Sequence, residues 1–116
     1  MASSVPTEVR GGGLYHHRVN KINLPLLAEH LPVAWHSSIL GQAAGANIKV
    51  LRMDGAAYPS EVHDFDEALL VISGVMQLEV AGAVISVQAG ELVIVPAGQA
   101  HAVAPGSYGS LVIVDQ

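Results

Sequence analysis

The chain has 116 residues, no cysteine and a net charge of −5, with 51% hydrophobic and only 13% charged residues. Such a length makes one domain that buries about two-thirds of its unfolded surface, and the missing cysteines exclude disulfides, thiol catalysis and thiolate metal sites. Five basic residues scattered singly give no stripe to follow a phosphate backbone, which argues against nucleic acid, and no apolar run approaches the roughly 20 residues that cross a bilayer.

Taken in chain order, residues 1–13 are small and polar and end in three glycines, so a flexible tail is expected. Residues 14–46 read as an arm that packs on a barrel or on a partner subunit. Within it Asn23 to Leu31 predicts a short helix, with Asn23 as cap, Pro25 in the first turn, and Leu24, Leu27, Ala28 and Leu31 at helical spacing. Pro32 stops it, Val33 to Trp35 predicts an edge strand, and the Gly- and Ala-rich stretch from Ser37 to Ala46 predicts a loop. Residues 47–116 then carry strand-like segments at 47–53, 61–65, 67–72, 75–80, 83–88, 91–95, 100–104 and 110–114, with Ser73-Gly74, Ala81-Gly82 and Ala89-Gly90 as turns. Eight short strands predict an all-β sandwich or barrel, of which the jelly roll is the eight-stranded solution.

Two of these segments hold residues suited to a metal. Glu61 and His63 are two apart, so on a strand both side chains leave one face. Asp64-Phe65-Asp66, read as a solvated bend, can swing Glu67 toward the same point. Further on, the apolar run Glu91 to Val95 lies between Gly90 and Pro96 as a buried strand would, and Pro96 and Gly98 turn the chain so that His101 opens the next strand. Pairing of the two stretches brings Glu61, His63, Glu67 and His101 together. The structural alternative leaves Glu61 in solvent and the two histidines as satisfied barrel residues, but burying Glu67 in an apolar barrel without a counter-charge is costly and favours a metal. Two imidazoles and two carboxylates suit a divalent transition metal: Fe, Mn, Ni, Co or Zn. Such a set leaves up to two octahedral positions for a bidentate small molecule such as a 2-oxo acid, an enediol or a β-diketone.

At these residues the chain resembles the cupin superfamily, specifically a small single-domain cupin. His63, Glu67 and Gly74 match the first cupin motif, and Gly90, Pro96, Gly98 and His101 match the second. Most members carry a further histidine where this chain has Glu61, and the asparagine that often closes the second motif is replaced by Pro105. The likeness covers residues 47 to 114 and implies a single jelly-roll β-barrel with the metal inside. It also implies action on a small oxygen-rich metabolite, by dioxygenase, decarboxylase, isomerase or lyase chemistry.

Glu61 and Glu67 are candidate bases in such a scheme, and Arg52, on the apolar strand Ile48 to Met53, is a candidate anchor for a substrate carboxylate. Gln77 and Ser86 could reach into a pocket, although alternation does not say which face of their strands is interior. Trp35, Tyr58 and Tyr108 read as core or dimer-contact aromatics. His16, His17, His30 and His36 fall outside the motifs, and Ser60 and Ser73 lie in turns without a nucleophile-elbow pattern. The competing class is a non-catalytic module that binds or senses a small ligand; a third is a metal-free scaffold serving oligomerisation. So apolar a chain is expected to form a homodimer. With no basic-then-apolar leader in the sequence, the cytoplasm is the expected compartment.

Overall fold

The computed structural model describes residues 19–116, and its first element is the short helix expected after Asn23; the tail over residues 1–13 and the His16-His17 pair lie outside the described residues. Helix α1 (Leu24–Glu29) begins where the Asn23 side chain accepts the Leu26 N–H at 3.1 Å, and Pro25 occupies a first-turn position whose missing N–H costs nothing. Its buried Ala28 packs with Leu24, Leu27 and Leu31 over Val50 and Val112.

Two sequence expectations fail directly after the helix. Val33 to Trp35 is a turn rather than an edge strand: Trp35 has φ +68, and its N–H makes one isolated bond to the Arg52 carbonyl at 2.9 Å. The stretch read as a loop is instead a hairpin of β1 (Ser38–Ala43) and β2 (Ala46–Asp54), closed by Ala44 and Gly45, both at positive φ as a tight hairpin turn requires. Strand β1 sits at the sheet edge, mostly exposed and with a bulge between Ile39 and Gly41. The apolar alternation that would announce it is therefore missing.

The remaining strands are β3 (Tyr58–Glu61), β4 (Glu67–Val80), β5 (Ala83–Gln88), β6 (Leu92–Val95), β7 (His101–Val103) and β8 (Tyr108–Asp115). Strand β3 ends where the 61–65 strand was expected to begin, leaving His63 and Phe65 on irregular backbone. The segments expected at 67–72 and 75–80 are one 14-residue strand, because Ser73-Gly74 stays in the ladder opposite Ser110 and Gly109 instead of turning, with a bulge just before it, between Val71 and Ser73. The sheet runs β1-β2-β8-β4-β7-β3, with β5 and β6 also pairing with β4. This curled antiparallel sheet agrees with the all-β jelly-roll expectation. Among the described residues no helix is long and apolar enough to cross a membrane.

Alternation along β2 and β8 divides two packing layers. Val50 and Val112 face α1, whereas Leu51, Met53, Leu111 and Ile113 join Leu69, Met76 and Leu78 in the interior core. The bulge in β4 shifts the alternation by one, so the inward side chains change from Glu67, Leu69 and Val71 to Met76 and Leu78. Ser73 and Ser110 fasten it, their hydroxyls 2.7 Å apart and the Ser110 N–H donating to Ser73 Oγ at 3.0 Å.

Candidate metal centre

Three devices bring the four candidate ligands named from the sequence to one end of the curled sheet. Glu61 faces His101 across the β3–β7 pair. The turn after β6 is closed by a bond from the Gln99 N–H to the Pro96 carbonyl at 3.1 Å, and the Gly98 N–H donates to the His63 carbonyl at 2.8 Å, which ties the loop bearing His63 to that turn. The third device has no sequence signature. Asp66 accepts the Ala97 N–H at 2.9 Å and so positions the turn before His101; its partner lies 31 residues away, with no local pattern to announce it. Glu67, at the start of β4, pairs in register with Val95.

The side chains converge. One ligand atom each from Glu61, His63 and His101 lies within 4.8 Å of the other two. Glu67 is outside that trio yet touches both imidazoles: Oε1 is 3.1 Å from His101 Nε2, and Oε2 is 3.9 Å from His63 Nε2. His63 Nε2 is also 3.2 Å from Glu61 Oε1. Atoms that share an ion at about 2.1 Å stand roughly 3 to 4 Å from one another, so the contacts at 3.1, 3.2 and 3.9 Å have the size of a coordination shell. The His63 ring is held by Phe65, stacked at 4.8 Å with an interplanar angle of 9°.

The hydrogen-bond roles point the same way. His101 Nδ1 lies 3.1 Å from the Gln99 carbonyl, which can only accept, so Nδ1 carries the proton and donates. In the neutral ring Nε2 then presents a lone pair, and it faces a carboxylate oxygen 3.1 Å away. Two acceptors at that distance need a cation or a proton between them, and here both residues are more than nine-tenths buried. The donor set therefore fits a divalent ion.

The cluster opens onto a cavity of about 240 Å³ between the β-strands. Arg52 does not reach it: it shares the helix-facing side of β2 with Val50, and its Nη2 donates to the Leu31 carbonyl at 3.1 Å. The expected anchor role is thus replaced by a tie between the sheet and the end of α1. Gln77 and Ser86 also lie on the outer faces of their strands and do not line the cavity. Lys49 and Asp115, which no sequence pattern singles out, do line it and are paired at 3.0 Å. Trp35 and Tyr58 line it too, stacked with centroids 5.5 Å apart, so they are cavity-wall aromatics. The Glu61 carboxylate, followed by partial burial, raises the Tyr58 phenol above its ordinary value of 10.0, so it stays a neutral donor beside the cluster.

Trp35 also gives the site a pH reporter, because it is the only tryptophan in the chain. Its indole N–H donates to Asp54 Oδ1 at 2.7 Å, and that bond, then the one from the Ala56 N–H, lowers the Asp54 pKa below the ordinary 3.8. A depressed carboxylate contributes its stabilisation above the unfolded value and loses it as pH falls through the folded one. Trp35 emission should therefore hold steady down to about pH 4 and change only below 3.8. In Asp54→Asn that acid step is expected to disappear; persistence of the step would assign it to another group.

A family model described as Cupin domain matches residues 50–115. No curated protein matches the chain. Among solved structures, the fold is similar to a cupin-2 domain containing protein from Shewanella frigidimarina, with TM-score 0.74 and 21% identity over 81% of this chain and 92% of that one. A protein from Neisseria meningitidis is similar with TM-score 0.71 and 24% identity over 82% and 97% of the two chains. A conserved protein from Streptococcus pyogenes gives TM-score 0.67 and 20% identity over 90% and 92%. At these identities the likeness is one of fold.

Proposed function

The chain belongs to the Cupin domain family, and from that premise we propose that it is a small metalloprotein. It holds a divalent transition metal through Glu61, His63, Glu67 and His101 and acts on a small oxygen-rich metabolite. The observation that carries the reading is the contact of His101 Nε2 with Glu67 Oε1, in a ring whose other nitrogen already donates to Gln99. When bound, the ion supplies Lewis-acid polarisation of ligand oxygens. The chain supplies the rest: Gln99 fixes the His101 tautomer, Phe65 fixes the His63 ring plane, and Tyr58 offers a phenolic donor beside Glu61. A cavity of about 240 Å³ is small beside the roughly 300–1,000 Å³ of ordinary ligand sites, which limits the occupant to a small metabolite. Dioxygenase, decarboxylase, isomerase and lyase chemistry are the reaction classes in this proposal. Exposed Val62, Leu92 and Ile94 are compatible with burial against a second copy, supporting a homodimer.

Elemental analysis of protein purified without chelator is the test. One metal ion per chain is expected in the wild type. The Glu61 side chain is 40% exposed, against 8% for Glu67, so it contributes least, and Glu61→Ala should weaken retention by about tenfold without abolishing it. A wild type with no stoichiometric metal would remove the proposal. Metal present without turnover of any 2-oxo acid or β-diketone would instead place the protein in the class that binds without reacting.

A further inference from the structure

Asp115 carries an unexplained atom. The residue is 6% exposed and lines the cavity; Oδ2 accepts from Lys49 Nζ at 3.0 Å, while Oδ1 is buried with no hydrogen-bond partner among the described residues. A buried carboxylate oxygen without a donor costs free energy unless something in the cavity donates to it. Its position adds to the point. The β4–β8 ladder pairs Ala68 with Val114, so Asp115 stands opposite Glu67 one step further along, with Cβ atoms expected about 5 Å apart on the cavity side. Lys49 reaches the pair from β2, whose Asn47 is the register partner of Asp115.

We infer that Asp115, oriented by Lys49, is a second subsite of the cavity, where Oδ1 accepts a hydrogen bond from a hydroxyl of a ligand held at the neighbouring metal centre; this rests on the metal reading proposed above. The charges select the donor. Glu61, Glu67 and Asp115 put three carboxylates around the cavity against one ammonium, Lys49, so a second anionic group on the ligand is repelled at this end. The ammonium already 3.0 Å from Oδ2 disfavours a second cation. What remains is a neutral donor, and on an oxygen-rich metabolite that is a hydroxyl outside the chelating pair of oxygens. Asp115 is thus a specificity residue, and it touches no metal.

Matched chelators that differ only in one hydroxyl test this by calorimetry on the full chain, in both metal-loaded and chelator-treated forms. The pairs are kojic acid against allomaltol, and hydroxypyruvate against pyruvate. The wild type should favour the hydroxylated member of at least one pair by roughly tenfold or more, the range for a hydrogen bond to a charged acceptor. Asp115→Ala should erase that preference while leaving metal content unchanged and without weakening the unhydroxylated member, a split that general loss of structure would not give. Should that variant fail to fold, Asp115→Asn keeps the shape with a weaker neutral acceptor and should reduce the preference several-fold. Metal-dependent binding without discrimination in either pair overturns the Asp115 assignment and leaves the metal reading standing. Discrimination that depends on Asp115 but survives chelator supports the assignment and counts against the metal. Absence of binding in both forms overturns both.

Discussion

Gly74→Ala is expected to cost roughly 3–5 kcal/mol, the range of a substitution that forces atoms into a packed backbone. Gly74, at φ +79, follows the β4 bulge and pairs with Gly109, and a Cβ there would stand 2.0 Å from the Tyr108 carbonyl oxygen, with Gly109 Cα at 3.0 Å. Retreat is blocked, since β8 is laddered on its other side to β2 from Tyr108 to Asp115. The approach is reciprocal: a Cβ on Gly109, at φ +105, would lie 2.0 Å from the Ser73 carbonyl oxygen. Gly82→Ala separates the two contributions, because Gly82 has φ +81 with nothing within 4 Å of the added atom and should lose only about 1 kcal/mol. Urea unfolding of both variants measures the difference, and equal midpoints would refute the backbone-contact argument. The consequence reaches the site, because the bulge sets the phase of β4: without it Met76 and Leu78 would turn outward and the cavity wall would be lost.

That bulge marks where the sequence stopped being legible. Turn-forming residues and apolar runs located β2, β5, β6, β7 and β8 closely, because these strands lie between recognisable turns. Ser73-Gly74 carries the same local signal as Ala81-Gly82, and only the second reverses the chain. The difference lies in the Tyr108–Gly109 backbone packed against the first, more than 30 residues away in sequence. Strand β1 failed for the opposite reason: an edge hairpin with both faces largely wet needs no alternation. At the site, the spacing of Glu61 and His63 and the turn before His101 named the cluster, since the residue types and their local geometry are written in short stretches. Asp66, Lys49 and Asp115 were missed because each gains its role from a partner on a distant element. Arg52 was misread because a strand buried on both faces gives no sign of which side holds the cavity.

Glu67→Gln should move metal affinity and metal-free stability in opposite directions. The substitution keeps the shape of the side chain and replaces one oxygen by an N–H donor. In chelator-treated protein with the His101 ring neutral, that donor can point at the His101 Nε2 lone pair, 3.1 Å from Glu67 Oε1 in the wild type, and so turn an acceptor–acceptor contact into a hydrogen bond. A buried charge is removed in the same change. Metal-free Glu67→Gln is therefore expected to be more stable than metal-free wild type by about 1–2 kcal/mol, within the range for an unsatisfied buried group. Metal binding loses an anionic ligand at the most buried corner of the cluster, and affinity should fall by about 100-fold or more. Thermal unfolding with and without the ion reads both effects, since a ligand that binds only the folded state raises its stability by about 2.7 kcal/mol at a concentration 100 times its Kd. The wild-type midpoint should rise when metal is added, and that of Glu67→Gln should start higher and rise little. A purely structural Glu67 would give the reverse in chelator, a variant less stable than wild type, with no difference in the response to metal.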